Sequence, residues 1–339
     1  MNFHALSWII NDECNLHCAH CYPDSGPKTP PPFDADRLLK MTDHLRHMHF
    51  DKIYISGGEP LACSHLEDYL KAADKLADRL YICTNALLLD DEILDLLIKY
   101  HVHITVSLQH TDGSAASEIY GAPDIGQKIQ EKIKYLRHKG VPVKLEVTVM
   151  RINHRDLENF FIFARENGIH KIDFKRFRPV GRGNHHKNTF GLTKSENADA
   201  LSRIFRLSQK YPEMDISTDD PLYGMVVSSE LHRQGWTDTA VSAYIKDKQI
   251  FGCKAGRRWV GLNPSGNIAP CPLLLYCGIS IGNLLEDSLE DILENSEMIR
   301  QLKDSRCDGC AHADICGGCR VCACYESEDI YGKDPMCVF

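Results

Sequence analysis

Between residues 5 and 177, six short β-rich runs alternate with segments of helical period. That alternation narrows the fold more than any other feature of the chain. The runs cover 5–10, 52–56, 80–84, 103–108, 144–149 and 171–177. Between them, Leu66, Tyr69, Leu70 and Ala73 fall at i, i+3, i+4 and i+7. Ile93, Leu96, Leu97 and Tyr100 repeat the spacing, as do Leu157, Phe160, Phe161 and Ala164. Such alternation builds parallel strands joined by right-handed crossovers. Six units of this kind make an α/β fold, either an open barrel or a doubly wound sheet. Both place ligands at the C-terminal ends of the strands. Ser64-His-Leu-Glu67 and Thr193-Lys-Ser-Glu196 read as capping boxes, and 193–211 as a helix. Residues 212–252 show no clear period. Further on, 257–262 and 267–269 read as a hairpin around Pro-Ser-Gly, and 288–295 as a short helix.

A chain of 339 residues, 43% of them hydrophobic, buries a core without covalent staples, so its 15 cysteines are not needed for stability. The N-terminus lacks a basic export-type region, and no apolar run approaches a membrane span. A reducing cytoplasm is the expectation, with thiols serving as metal ligands. A net charge of −8 excludes a broad basic nucleic-acid footprint.

Three cysteines, Cys14, Cys18 and Cys21, follow the first strand with the spacing C-x3-C-x2-C. A structural zinc takes four ligands, so zinc would need His17 or His20 as well. Unligated thiols in an exposed loop would be open to oxidation. A [4Fe–4S] cluster ordinarily takes four cysteines, and three leave one iron open for a small molecule.

The run from Cys14 to Cys21, the aromatic Tyr22 and the turn Gly57-Gly58-Glu59-Pro60 after the second strand resemble the radical SAM superfamily. The resemblance implies a cluster whose open iron chelates S-adenosylmethionine (SAM). An electron then cleaves the sulfonium to a 5′-deoxyadenosyl radical, which abstracts hydrogen from a substrate carbon. It also implies cofactor contacts from Tyr22, Gly57, Gly58, Glu59, Pro60, Asn85, Ser107 and Gln109, with backbone at 149–153 near the adenine. Where the family commonly has Ser-Leu-Asp, this chain has Ser107-Leu108-Gln109.

The C-terminal pattern Cys253-x12-Gly266-x4-Cys271, then Cys307-x2-Cys310-x5-Cys316-x2-Cys319, then Cys337, resembles the SPASM extension of that superfamily. One gap is a residue shorter than the family pattern. The resemblance implies two auxiliary [4Fe–4S] clusters. Cys307, Cys310, Cys316 and Cys337 would hold one. Cys253, Cys271 and Cys319 would hold the other, with a fourth ligand among Cys277, Cys322 and Cys324. Zinc remains the alternative for paired C-x2-C motifs. Cys63 and Cys83 read as small buried hydrophobes, and Arg176 and Arg178 as partners for a carboxylate.

The implied fold is a partial (β/α)6 barrel over 1–190, a bridge over 191–250 and a cysteine-rich domain over 251–339. The expected activity is maturation of a ribosomal peptide or protein, with an electron donor such as flavodoxin or ferredoxin. The alternatives are modification of a tetrapyrrole side chain, or a non-catalytic zinc or iron–sulfur binding module.

Overall fold

Residues 3–113, 115–304, 307, 310, 312–313 and 315–338 are described by a computed structural model. Among the described residues ten strands form one sheet: β1 (Ala5–Ile9), β2 (Lys52–Ser56), β3 (Leu80–Thr84), β4 (His103–Ser107), β5 (Val143–Val149), β6 (Lys171–Arg176), β7 (Asp215–Thr218), β8 (Trp259–Leu262), β9 (Asn267–Ala269) and β10 (Gly282–Asn283). Their order is β10-β9-β8-β1-β2-β3-β4-β5-β6-β7. From β1 to β7 every neighbour is parallel and consecutive in sequence. Right-handed crossovers taken always in one direction put the helices on one side, so the sheet curls as a barrel. A doubly wound sheet would need a reversal of order, and none is present. The sheet does not close, because its two edge strands, β7 and β10, do not pair with each other.

The two faces have opposite character. On the helix side, Leu6, Trp8, Ile53, Ile55, Ile82, Ile104, Val106, Leu145, Val147, Ile172 and Phe174 are buried. The inner face carries Tyr54, Tyr81, Cys83, His103, Thr105, Lys144, Glu146, Asp173 and Lys175. Parallel stacking links Trp259 to Tyr54 at 5.4 Å, Tyr54 to Tyr81 at 4.9 Å and Tyr81 to His103 at 4.8 Å between ring centres. Above that ladder, Asp173 is 2.7 Å from Lys144 and 3.0 Å from Lys175. These three side chains keep 10–20% of their surface accessible although they lie deep in the molecule, so the lumen is hollow.

The expected strands form, three of the six ending a residue earlier than the sequence suggests. The Thr193–Glu196 capping box is complete at the start of helix Lys194–Lys210. The Ser64 box does not form: helix Leu66–Ala73 begins at His65 without a side-chain cap, after a turn in which the Leu66 amide bonds Cys63 O. Residues 212–252 are also more regular than expected. They hold β7 and the helices Tyr223–Arg233 and Asp238–Asp247. The hairpin β8–β9 forms with Gly261 opposite Ala269, and Ser288 caps helix Leu289–Asn295. In addition, β8 pairs in parallel with β1, Ala5 opposite Trp259, so the cysteine-rich segment continues the barrel sheet. Among the described residues no helix is long and apolar enough to cross a membrane.

Candidate metal and cofactor site

The cysteine triplet leaves the C-terminal end of β1. Past the strands, β1 and β2 keep pairing: the Gly58 amide bonds Asn11 O at 3.0 Å and the Glu59 amide bonds Glu13 O at 2.8 Å. A Cβ on Gly57 would lie 2.0 Å from Asn11 Oδ1, and one on Gly58 would lie 2.2 Å from Glu13 O. The chain's own close approach therefore already requires both glycines. Behind this turn the Glu59 carboxylate is 1% exposed. It accepts from the Leu61 amide at 3.0 Å, Thr84 Oγ1 at 2.6 Å and the Asn85 amide at 2.8 Å. Burial pushes its pKa up to about 7 against these three bonds. Glu59 thus ties the β2 turn to the end of β3. There Ala86 takes φ 63°, the left-handed region that favours glycine. The Asn85 side chain donates to Asn15 Oδ1 at 2.8 Å, which joins the same turn to the triplet loop.

The triplet loop is held from the far side of the barrel. Arg182 is buried and donates to Cys18 O at 2.9 Å and to Ser25 O. The Gly183 amide bonds Cys21 O at 3.1 Å, and Gly181, at φ 56°, passes so close that a Cβ would lie 2.2 Å from Tyr22 O. The Leu16 amide points at Cys14 Sγ, 3.4 Å away. Burial lifts the Cys14 thiol to about 11 and the Cys18 thiol further, while the Arg182 charge favours their thiolates. His20 is kept neutral by burial, its pKa near 4, and its Nδ1 is buried without a hydrogen bond.

Ser107 is the last residue of β4. Gln109 is 2% exposed and turned toward the protein. Its Oε1 accepts from the Thr148 amide at 2.7 Å, its amide donates to Tyr120 Oη at 3.0 Å, and its carbonyl accepts from Asn153 Nδ2 at 2.9 Å. Tyr22 meets Tyr276 edge to face at 5.5 Å. Burial, together with the neighbouring Cys83, Glu146, Cys21 and Cys271, raises its phenol pKa. The aromatic residue after the triplet therefore bridges to the C-terminal segment.

In that segment Cys253, Cys271 and Cys319 line one cavity with Arg178, Asp219, Lys254 and Trp259. Arg178 Nε donates to Cys319 Sγ at 3.2 Å. A hydrogen bond with Cys322, then the charges of Arg178 and Arg176, hold the Cys319 thiol well below its ordinary value. Burial pushes Cys271 up to about 12. Cys277 interacts with Cys324 and Cys319. Cys316 lies within electrostatic reach of Cys307 and Cys337. The His312 amide lies 3.4 Å from Cys310 Sγ, and the Gly318 amide 3.3 Å from Cys316 Sγ. Residues 308, 309, 311 and 314 of the loop lie outside the described residues.

Among the described residues no three His, Cys, Asp or Glu side chains converge as ligands of a single ion. The donor set fits iron–sulfur clusters. Amides two residues on point at the sulfurs of Cys14, Cys310 and Cys316, and hydrogen bonds to sulfur tune such centres. Buried thiols with raised pKa values become thiolates when a metal replaces the proton.

Three residues that shape the site went unsuspected from sequence. Arg182 clamps the triplet. Tyr276 faces Tyr22 with its hydroxyl buried and without a partner among the described residues. Asp334 grips Arg176 through two bonds of 2.7 and 2.8 Å and accepts from the Cys319 amide at 2.7 Å. Arg176 and Arg178 do pair with carboxylates, but those of this chain, Asp334 and Asp219.

Comparison with known proteins agrees with this geometry. A family model described as the radical SAM superfamily matches residues 8–164, and one described as an iron–sulfur cluster-binding domain (SPASM) matches 253–323. The AdoMet-dependent heme synthase of Methanosarcina barkeri is 23% identical, over 98% of this chain and 96% of its own. The mycofactocin maturase MftC of Mycolicibacterium smegmatis is 25% identical, over 98% and 82%. The crystal structure of Streptococcus suis SuiB bound to precursor peptide SuiA superposes with a TM-score of 0.75 at 19% identity, covering 100% of this chain and 77% of that one. With the triplet at the end of β1, the glycine turn at the end of β2 and the cysteine-rich extension on the same sheet, the chain belongs to the radical SAM superfamily and is a SAM-dependent enzyme carrying a C-terminal SPASM domain.

Proposed function

We propose that this enzyme matures a ribosomal peptide or protein by abstracting hydrogen from a substrate carbon held in the barrel lumen. Cys14, Cys18 and Cys21 hold the SAM-binding [4Fe–4S] cluster. Cys253, Cys271, Cys319 and Cys322 hold one auxiliary cluster, and Cys307, Cys310, Cys316 and Cys337 the other. With the cluster and SAM bound, and a flavodoxin- or ferredoxin-type donor at hand, the site would supply a 5′-deoxyadenosyl radical. The Gly57–Pro60 turn, Asn85 and Ser107 border the SAM site. Gln109 acts behind it by fixing the ends of β4 and β5.

The observation that carries this reading is the placement of the lumen. The triplet caps it at the end of β1. The cavity of Cys253, Cys271 and Cys319 shares Trp259 with the aromatic row of the lumen. A substrate between them would be exposed to the radical on one side and to an electron acceptor on the other. The names of MftC and of the SuiB–SuiA complex favour a peptide substrate. The AdoMet-dependent heme synthase favours a second reading, modification of a tetrapyrrole side chain.

Anaerobic reconstitution should yield three clusters, about twelve irons per chain. Reduction with SAM should then yield 5′-deoxyadenosine, and a precursor peptide should change in mass. Zinc in place of iron would overturn the assignment. Modification of a porphyrin with every peptide untouched would replace the first reading by the second.

A further inference from the structure

The inner face carries a feature that the cluster sites do not use. At the N-terminal end of the barrel, opposite the triplet, Lys52 is half-buried with its Nζ 6.0 Å from the centre of the Tyr81 ring. Among the described residues no carboxylate lies within 4.0 Å of it. Arg79, beside it just before β3, likewise has no ion pair among the described residues. The next cations along this face are already engaged: Lys144 with Asp173 at 2.7 Å, and Lys171 with Asp215 at 3.3 Å. The nearby Asp51 is taken by His4 at 2.6 Å. Burial lowers the pKa of Lys52, and the like charges of Arg79, Lys144 and Lys171 lower it further. A half-buried cation among cations is costly unless an anion joins them. The floor beside it is flat: Trp259, Tyr54, Tyr81 and His103 stack in one row, and Trp259 Nε1 is buried with no acceptor among the described residues.

We propose that this mouth of the lumen binds a carboxylate of the substrate on Lys52 and Arg79, with the substrate's body lying on the aromatic row and its reacting carbon reaching up toward the triplet. The inference rests on the reading that substrate occupies the lumen, and it adds the group that is recognised. It also supplies a ruler. The five residues of β2 separate Lys52 from the glycine turn, about 15 Å at the rise of a strand. An extended peptide covers that distance in about four to five residues. An acidic side chain of a peptide and a propionate of a tetrapyrrole share the carboxylate chemistry.

The test uses reconstituted holoenzyme with SAM, under anaerobic calorimetry. The probes are a blocked hexapeptide with one glutamate and a tyrosine, its glutamine analogue, and coproporphyrin. At least one carboxylate probe should bind, and Lys52→Gln should weaken it about tenfold, the loss of one charge-assisted hydrogen bond. Lys52→Arg should restore binding, and the glutamine peptide should not distinguish the variants. The proposal is overturned if neither carboxylate probe binds wild type, or if Lys52→Gln leaves both affinities unchanged. Porphyrin binding through Lys52 without peptide binding would keep the carboxylate site and sink the peptide reading. A precursor peptide modified equally fast by Lys52→Gln would do the reverse.

Discussion

Arg182→Met isolates the contribution of one side chain to the triplet loop. The guanidinium donates to Cys18 O at 2.9 Å and to Ser25 O, and each charge-assisted bond contributes about 1.5–3 kcal/mol. Two effects reduce that gross gain. Burying the cation is costly, and its Nη1 has no hydrogen bond to offset the cost. Its ion pair with Asp24, 3.4 Å away, adds little because that carboxylate is 62% exposed. A net loss of about 2–3 kcal/mol follows, roughly 30- to 150-fold in the balance between closed and open loop. The assay is iron retention during anaerobic chelator challenge, read with the electron paramagnetic resonance signal of the SAM-binding cluster. The variant should lose that signal and its 5′-deoxyadenosine production while keeping the auxiliary signals. Arg182→Lys, with charge but no fork, should fall between. Wild-type iron retention and SAM cleavage in Arg182→Met would refute the clamp.

Other substitutions test neighbouring parts of the site. Gln109→Ala strips the Thr148 amide of its acceptor and should lower the stability to urea by about 1–3 kcal/mol; an unchanged midpoint would show the bond to be immaterial. Cys322→Ala should remove or alter one auxiliary signal, whereas Cys277→Ala and Cys324→Ala should keep full iron, and the opposite pattern would reassign the fourth ligand. Glu59 gives a pH test. Its folded pKa is raised from 4.5 to about 7 by burial, so its contribution to stability is complete below about 4.5 and is lost as pH rises through 7. Between pH 5.5 and 8 wild type should lose about 2 kcal/mol more than Glu59→Gln, and parallel curves would contradict this.

The strands were legible because each inner–outer alternation is short and bounded, and the helices because their apolar residues keep period 3.6. The cysteines were legible because ligand spacing survives where the rest of a sequence drifts. Residues 212–252 were not legible, for a physical reason. Helix Tyr223–Arg233 buries Tyr223, Gly224, Met225, Val227, Ser228, Glu230 and Leu231, so polar and small residues dilute its period. Nor did the glycine turn reveal its full purpose. The resemblance implied that Gly57 and Gly58 contact the cofactor, whereas their tightest neighbours are Asn11 and Glu13. Arg182 carried no local signal at all, since it acts on backbone more than a dozen residues away.

The pairing of β8 with β1 sets a timetable for biosynthesis. The first strand has β2 on one side and β8 on the other. Its second neighbour is therefore still inside the ribosome when the triplet emerges. Until residues 259–262 arrive, β1 is an open edge, and closing so long a loop is slow. Arg182 also reaches the triplet only after most of the barrel has been made. A nascent chain thus carries Cys14, Cys18 and Cys21 unclamped through most of its synthesis. Iron delivered then would meet a loop without its support, so productive loading of the first cysteines falls near the end of translation or after it.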